Sequence, residues 1–196
     1  MMLVLASASP RRRAMLTPLG YPMRVAPAEI DETPWPDEAP LDFALRMAVE
    51  KAMAVPAQAG ETVLAADTVV HLAGTIFGKP RDKEDAERML SVLSDREHEV
   101  TTAFCLLHSG LRRARAVSTR VRFRALSAGE VAGYVATGEP LDKAGAYGIQ
   151  GVGGMLVLSI QGSYSNVVGL PLAELFEELA ALGWPPPFSP GILYEP

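Results

Sequence analysis

The segment that decides the fold class is residues 63–72, which read VLAADTVVHL. A mostly apolar run of this length, with Asp67 and Thr68 at its centre, is typical of a strand buried on both faces of a sheet. The next two residues, Ala73-Gly74, predict a tight hairpin that returns as TIFGK. Helical patterns precede and follow this strand, so we expect an α/β protein with a mixed sheet.

The N-terminal region carries clear helix signals. Residues 3–6 predict a buried strand that leads into Ser9-Pro10, an N-cap followed by proline at the first helical position, and Gly20 ends that helix. A second helix is predicted over residues 41–55. Its expected apolar face comprises Leu41, Ala44, Leu45, Ala48, Ala52 and Val55, with Lys51 on or near that face.

The C-terminal half continues the alternation of strands and helices. Asp82 is the predicted N-cap of an amphipathic helix, and Ser127 and Glu130 form a capping box that opens another, closed by Gly138. The other predicted elements are an antiparallel pair of strands over 98–108 and 113–124, a strand over 155–160 and a last helix over 172–182.

Composition narrows the class of protein. The 196 residues are 48% hydrophobic and 21% charged, with a net charge of −5, which suits one or two folded lobes rather than a disordered chain. One cysteine and three histidines argue against a disulfide or zinc framework and favour a cytoplasmic location. The mild acidity argues against duplex nucleic acid as a partner. The apolar stretches are too short to predict a membrane span.

Asp67 is the sharpest functional signal in the sequence. An ionised carboxylate within an apolar strand is costly unless a partner or a metal ion compensates it. It is either a cap for the hairpin or a catalytic or metal-binding group at the carboxyl end of a strand, where ligands of open α/β sheets gather. Lys51 has a similar choice between extending to solvent and meeting a buried anion.

Other charged positions are open to two interpretations. The helix that begins after Ser9 carries Arg11, Arg12 and Arg13 in its first turn, which suits a phosphate site, although Ser9 could simply cap the helix and the arginines face solvent. Lys79 follows the hairpin in a GKP turn, and Asp31-Glu32 offers a second carboxylate that could share a divalent cation with Asp67 or lie in a solvated loop. The three histidines lack the spacing of metal ligands, and Cys105 is expected to be an inert core thiol.

Several of these segments together resemble the Maf family of nucleoside triphosphate pyrophosphatases. The matching segments are LASASPRR at 5–12, AVEKA at 48–52, AADTVV at 65–70, GKPRDKEDAERML at 78–90, PLDKAGAYGIQG at 140–151 and GSYSNVVGLPL at 162–172. The resemblance implies two α/β lobes with a central cleft, in a fold similar to that of inosine triphosphatase-like proteins. It also implies that residues 1–184 form this unit and that residues 185–196 are a proline-rich tail.

The resemblance implies an activity and a set of site residues. Members of the family hydrolyse nucleoside triphosphates to the monophosphate and pyrophosphate with a divalent cation, Mg²⁺ or Mn²⁺, and homodimers are plausible. Asp67 matches the catalytic aspartate and, with Glu32, the expected metal ligands. The residues expected to bind substrate are Ser7, Ser9, Arg11, Lys51, Thr68, Lys79 and Gln150.

The motifs ADT and AYGIQG resemble those of the branch of the family that acts on dTTP and UTP. By the same resemblance, substrate specificity is associated with Arg11, Thr68 and Gln150. The alternatives are a pyrophosphatase for 7-methyl-GTP or of broad specificity, and a nucleotide-binding regulator of septum formation without catalytic activity. One departure is visible: Asp95 stands where the family pattern has glycine, which puts the local turn in doubt.

Overall fold

A mixed sheet of seven strands, connected by helices, confirms the predicted α/β class. The structure is a computed structural model and describes residues 1–187. The strands are β1 (Met2–Leu5), β2 (Met23–Val25), β3 (Glu61–Leu72), β4 (Thr75–Phe77), β5 (Glu97–His108), β6 (Leu111–Phe123) and β7 (Val157–Gln161). The α-helices are α1 (Pro10–Leu16), α2 (Pro40–Ala54), α3 (Lys83–Leu93), α4 (Ala128–Ala136), α5 (Tyr164–Val168) and α6 (Leu172–Ala181). None of the helices within residues 1–187 has the length and apolar character needed to cross a bilayer.

The sheet combines parallel and antiparallel pairs. β1 pairs in parallel with both β2 and β3, whereas the pairs β3–β4 and β6–β7 are antiparallel. The strand order is β2-β1-β3-β5-β6-β7, and β4 pairs with β3 outside this row. Leu5 at the end of β1 lies opposite Leu64, so β3 extends well past the end of its parallel partner.

Two tight hairpins join consecutive strands. Ala73-Gly74 connects β3 to β4 with φ values of 49° and 81°, and Ser109-Gly110 connects β5 to β6 with the same two values. Consecutive positive φ angles are typical of the type I′ turn, whose twist suits a two-residue hairpin. The hairpin predicted at Ala73-Gly74 is confirmed. Because β5 and β6 are hydrogen-bonded neighbours joined by two residues, they are also the antiparallel pair that the sequence predicts.

The chain divides into two compact units. Unit 1 comprises Met1–Asp67, Thr102–Ala116 and the chain from Gly169, and unit 2 comprises Thr68–Thr101 and Val117–Val168. Three of the divisions fall inside β3, β5 and β6, and the fourth lies between α5 and α6. This agrees with the lack of a linker-like segment in the sequence.

Each unit has its own apolar core. The core of unit 1 is built from Leu3, Leu5, Leu16, Leu19, Leu64, Ala66, Phe104, Leu106, Leu170, Leu175, Leu179, Leu182 and Trp184. The core of unit 2 is built from Val70, Phe77, Ala86, Met89, Leu90, Leu93, Val100, Val121, Phe123, Val131, Tyr134, Val135, Ala146, Tyr147 and Leu156. Burial of these side chains is the main driving force for folding of each unit.

The helix ends follow the predicted capping residues. Ser9 caps α1 by accepting a hydrogen bond from the Arg12 N–H at 3.4 Å, and Asp82 caps α3. Ser127 and Glu130 form the predicted capping box of α4. Helical segments end at glycines with positive φ, which are Gly20, Gly138 and Gly183.

The buried face of α2 differs from the prediction. Leu41 is 45% exposed, whereas Phe43 and Met47 are buried. Phe43, Met47 and Lys51 follow one another at intervals of four residues and therefore share one side of the helix. The two large side chains bury more apolar surface than Leu41 can, and they bring Lys51 inward with them.

β7 begins two residues later than predicted. Residues Val152–Leu156 form a 3-10 turn instead of the start of the strand. The Gly154 N–H donates to the Gly151 carbonyl in this turn at 3.3 Å, because the glycine-rich chain closes on itself before it becomes extended.

The predicted proline-rich tail, residues 185–196, is described only at its start. The Pro185 carbonyl accepts a hydrogen bond from the Tyr21 hydroxyl at 2.7 Å. Residues 188–196 lie outside the described part of the chain, so the extent of the tail stays a prediction.

The cysteine and the most buried histidine lie in apolar surroundings. Burial raises the pKa of Cys105 to about 11, which agrees with the predicted inert thiol. His98 is 2% exposed, and its Nε2 lies 2.9 Å from the Tyr147 hydroxyl. Burial, with a smaller contribution from the charge of His71, lowers the pKa of His98 to about 4. His98 is therefore a neutral core residue at physiological pH.

Candidate active site

The carboxyl end of the parallel strands in unit 1 brings two polar segments to one edge. β1 ends at Leu5, and the next residue continues the ladder through its N–H, which donates to the Leu64 carbonyl at 2.8 Å. Ser7 and α1 follow directly on β1, and Asp67 lies three residues beyond Leu64 on β3. In α/β sheets this edge is where ligands bind.

Asp67 is paired with Lys51 in the interior of unit 1. Asp67 is 9% exposed and Lys51 is 8% exposed. The Lys51 Nζ lies 2.7 Å from the Asp67 Oδ1. Asp67 does not cap the hairpin, because the strand continues to Leu72. The Lys51 side chain does not extend to solvent, because it is buried. The costs of burying the two charges offset each other in this pair.

Glu32 binds the same ammonium group. Its Oε1 lies 2.9 Å from the Lys51 Nζ, and its side chain is half-exposed. Lys51 therefore connects a buried carboxylate on β3 with an accessible carboxylate on the loop before α2. The sequence could propose that the two carboxylates are neighbours, but not that a lysine joins them.

Arg46 fastens the loop that carries Glu32 to α2. Its guanidinium makes a two-pronged ion pair with Glu38, at 2.6 and 2.7 Å, and donates to the Thr33 carbonyl at 3.1 Å. It also stacks on the ring of Trp35, with 4.0 Å from Cζ to the ring centre. These contacts fix the residue that follows Glu32. Sequence reasoning missed Arg46 because its partners lie in a loop without regular periodicity.

The segment between β1 and α1 forms a closed hydrogen-bond network. The Ser7 hydroxyl accepts hydrogen bonds from the Ser9 N–H at 3.2 Å and from the Arg12 Nη1 at 3.1 Å. The Arg12 Nε donates to the Gly169 carbonyl at 2.9 Å. Ser9 caps the helix, as one of its two interpretations requires.

Arg12 is the inward-facing arginine of α1. It is 9% exposed, whereas Arg13 is exposed. Burial lowers the pKa of Arg12, while the negative charges of Asp67 and Glu32 oppose that decrease. Sequence reasoning selected Arg11 and missed Arg12. The signal was present, because Arg12 lies four residues before Leu16 and so shares its buried side of the helix.

The charges of this cluster suit a divalent cation and a phosphate ligand. Asp67 and Glu32 both contact the Lys51 ammonium, so their carboxylate oxygens lie close to each other. Mg²⁺ prefers oxygen ligands and is usually held by one or two carboxylates together with substrate phosphates. Within residues 1–187 no group of three or more histidine, cysteine or acidic side chains is placed to hold a metal ion. A cation held by Asp67 and Glu32 would complete its coordination with the substrate and with water.

The remaining predicted site residues belong to unit 2. Thr68 follows Asp67 on β3 and is half-buried, and strand geometry directs the two side chains to opposite faces of the sheet. Lys79 is exposed in the turn after β4. Gln150 is exposed in the glycine-rich segment before β7. The roles that the sequence predicts for these three residues stay predictions.

Comparison with family models gives a match over almost the whole described chain. The model described as "Maf-like protein" covers residues 2–182. The chain belongs to the Maf family. The resemblance deduced from the motifs is thereby confirmed.

Maf relatives match this chain along nearly its full length. A protein of Anaeromyxobacter sp. (strain Fw109-5) named dTTP/UTP pyrophosphatase is 55% identical over 195 residues, which cover 96% of this chain and 94% of the relative. A protein of the same name from Anaeromyxobacter dehalogenans (strain 2CP-C) is 54% identical over 191 residues, which cover 95% and 97%. Among solved structures, a nucleoside-triphosphatase / dITP/XTP pyrophosphatase from Mycobacterium abscessus is similar with a TM-score of 0.45 and 18% identity, covering 93% of this chain and 98% of that one.

Asp95, where the resemblance leads us to expect glycine, lies just after α3. Asp95 has a φ of 56°, in the left-handed region that glycine adopts most easily. Its N–H donates to the Arg124 carbonyl at 3.1 Å, and its carboxylate accepts from Arg122 at 3.3 Å. The turn is therefore kept despite the substitution, and Asp95 carries a conformational cost that glycine would not.

Proposed function

We propose that this Maf protein is a pyrophosphatase that hydrolyses dTTP and UTP to the nucleoside monophosphate and pyrophosphate. The observation that carries the proposal is the buried Lys51–Asp67 pair with Glu32 on the same ammonium. Burying charged groups costs desolvation free energy, and buried charged groups of this kind are typical of catalytic sites. The names of the two relatives supply the substrate class.

In the proposed reaction, water attacks the α-phosphorus and pyrophosphate leaves. Asp67 is the general base. Its Oδ1 is held by Lys51, and its Oδ2 takes the proton of the attacking water. The bond from water oxygen to phosphorus forms as the bond from phosphorus to the bridging oxygen breaks. Lys51 holds the carboxylate in one orientation, so positioning accounts for a large part of the rate.

Cationic side chains hold the triphosphate. Arg12 contributes a buried guanidinium beside the two carboxylates, and we assign Arg11 and Lys79 to phosphate binding. Ser7 and Ser9 shape the turn that precedes α1. Fixed positive groups of this kind stabilise charge that develops in the transition state.

Glu32 and Asp67 would hold the divalent cation, Mg²⁺ or Mn²⁺. When bound, the cation offsets the negative charge that develops on the oxygen between the α- and β-phosphorus atoms. Because Lys51 and Arg12 already balance the two carboxylates in number, Arg11 and Lys79 would offset only part of the negative charge that a triphosphate adds. This imbalance supports a requirement for added cation.

Base selection is assigned to Arg11, Thr68 and Gln150. The Gln150 amide has both a donor and an acceptor and can pair with the edge of a pyrimidine.

We also propose a cytoplasmic location, where the Cys105 thiol stays reduced and nucleotide substrates are available. A homodimer, which the family resemblance implies, stays a prediction.

The decisive experiment is a nucleotide panel with Mg²⁺ or Mn²⁺ and chromatographic separation of the products. We expect dTTP and UTP to give monophosphate and pyrophosphate at the highest rates. Diphosphate and orthophosphate would refute attack at the α-phosphorus. Preference for 7-methyl-GTP, or similar rates with all substrates, would identify the alternative specificities. Calorimetric binding without turnover would identify the non-catalytic regulator.

Replacing the proposed base tests the mechanism. We expect Asp67→Asn to lower kcat by about 10²- to 10⁴-fold, the range that general base catalysis supplies. The matched control is Glu61→Gln. Glu61 lies on β3, as Asp67 does, and its buried carboxylate is paired with Arg24. The control should keep its kcat. Normal pyrophosphate release by Asp67→Asn would remove Asp67 from the mechanism.

A further inference from the structure

Glu139 is the centre of a hydrogen-bond network in unit 2 that the proposed reaction does not use. It lies in a 3-10 turn, Glu139–Asp142, that follows α4. Its Oε1 accepts hydrogen bonds from the Tyr134 hydroxyl and the Gly153 N–H, both at 3.0 Å, and its Oε2 accepts from the Val152 N–H at 3.1 Å. One carboxylate thus binds two consecutive backbone N–H groups on the C-terminal side of Gln150.

Tyr134 holds the other side of the same segment. Its side chain is buried, and its hydroxyl accepts a hydrogen bond from the Gly148 N–H at 3.3 Å. Gly148 precedes Gln150 by two residues, and Gly153 follows it by three. The short chain that carries Gln150 is therefore attached at both ends to one Tyr134–Glu139 pair, while Gln150 itself is exposed.

The backbone approaches this pair too closely for larger residues. A Cβ on Gly153 would lie 2.3 Å from the Tyr134 hydroxyl and 2.5 Å from the Gly148 carbonyl oxygen. A Cβ on Gly151, whose φ is 76°, would lie 3.0 Å from the Glu139 Oε2. The glycines are thus required by the close approach of the chain to the pair, and the segment has little freedom to shift.

Glu139 acts as an ionised acceptor. Burial opposes its negative charge, but the hydrogen bonds from Gly153, Tyr134 and Val152 outweigh burial and lower the pKa of Glu139. Glutamine at this position would keep the shape of the side chain. It would, however, place an NH₂ group against N–H or O–H donors, and at least one hydrogen bond to the segment would be lost.

We infer that Glu139, with Tyr134, is a positioning residue for nucleotide specificity that fixes the backbone around Gln150 so that its amide meets the pyrimidine edge in one arrangement. The inference rests on the proposed function, in which Gln150 reads the base. A glutamine amide has a donor and an acceptor and can pair with uracil and thymine or, rotated, with cytosine. Discrimination between them therefore depends on how firmly the amide is placed.

The test compares kcat/KM for dTTP and UTP with that for dCTP and CTP in four variants: Gln150→Ala, Glu139→Gln, the double variant, and Tyr134→Phe. We expect Gln150→Ala and Glu139→Gln each to reduce the preference for uracil and thymine bases by about tenfold, the low end of what a two-point amide–base pair supplies. The double variant should lose no more than Gln150→Ala alone, because both changes remove the same contact. Tyr134→Phe should shift the preference in the same direction.

A matched control separates positioning from general destabilisation. Glu130→Gln changes a carboxylate in the first turn of α4, the helix that also carries Tyr134, and this carboxylate likewise accepts a backbone N–H, that of Ser127. It should keep the wild-type preference. Amide hydrogen exchange gives a readout independent of activity, and residues 148–154 should exchange faster in Glu139→Gln and not in Glu130→Gln.

Each result decides the question. If Gln150→Ala changes the preference but both Glu139→Gln and Tyr134→Phe keep it, the inference is wrong and the proposed function stands. If Gln150→Ala keeps the wild-type preference, Gln150 does not read the base and the inference is also wrong. If the wild-type protein hydrolyses no nucleoside triphosphate to pyrophosphate, the proposed function itself fails.

Discussion

Replacing Lys51 by methionine isolates the energetics of the candidate site. Methionine keeps an unbranched chain of similar length and removes the ammonium. The Asp67 carboxylate, 9% exposed, then loses the hydrogen bond from the Lys51 Nζ at 2.7 Å. The change therefore takes the Lys51 ammonium away from a buried carboxylate.

The expected loss of stability follows from the burial of this pair. Breaking a buried ion pair by removing one partner costs about 3–5 kcal/mol. The charge of Arg12 still acts on Asp67, which places the expectation near the lower limit. We therefore expect Lys51→Met to lower the free energy of unfolding by about 3 kcal/mol at pH 7.

Urea denaturation gives the measurement. The fluorescence of Trp184, which is 4% exposed in the core of unit 1, reports on the unit that contains the pair. Circular dichroism checks that both probes follow one transition. Asp67→Asn should be much less destabilised, because Lys51 keeps Glu32 as a partner. The double variant should resemble Asp67→Asn.

The control for Lys51→Met is Lys83→Met, an exposed lysine at the start of α3. Its stability should stay within about 0.5 kcal/mol of the wild type, as surface substitutions usually do. If Lys51→Met also stayed within that limit, the Asp67 carboxylate would not need a buried partner. The physical basis for assigning catalysis to Asp67 would then be lost.

Two further predictions concern stability. Burial lowers the pKa of His98 in the folded state to about 4, from an ordinary value of 6.5. Between pH 6.5 and pH 4 the unfolded chain therefore binds a proton at His98 that the folded protein does not bind. The free energy of unfolding should decrease by about 3 kcal/mol as the pH falls through this range. Urea titrations at several pH values should show this slope, and His98→Gln should flatten it; an unchanged slope would contradict the assignment to His98. Asp95→Gly should raise the free energy of unfolding by about 0.5–1 kcal/mol, because it relieves a φ of 56° and loses only an exposed contact with Arg122. Asp95→Ala, which keeps the Cβ, should not be stabilised, and equal stabilities of the two variants would refute backbone strain as the cause.

Local chemistry made most of the fold predictable. The caps at Ser9 and Ser127 act on N–H groups three residues away, and the Ala73-Gly74 turn involves only its own two residues and their neighbours. The errors arose where burial depends on other elements. The predicted apolar face of α2 included Leu41 rather than Phe43, because periodicity alone does not show which of two adjacent apolar stripes meets the sheet.

The candidate site was predictable in its residue types but not in its connections. Asp67, Lys51 and Glu32 were all selected from the sequence, because charges within apolar patterns are costly. That one ammonium binds both carboxylates could not be deduced, since the three residues lie on a strand, a helix and a loop. Arg12 was passed over because the family resemblance selects Arg11, although the four-residue spacing from Arg12 to Leu16 already placed Arg12 on the buried side of the helix.

The order of amino acids alone determined the α/β class, the helix caps, the hairpins and the family, since these depend on residues close together in the chain or on long matching motifs. Only the tertiary structure decided which charges meet. Arg12 reaches the Gly169 carbonyl across 157 positions of sequence, and Lys51 reaches Asp67 across 16. Such pairs are fixed by the pairing of β1 with β3 and by the packing of helices on them, and no local pattern encodes a distance between elements.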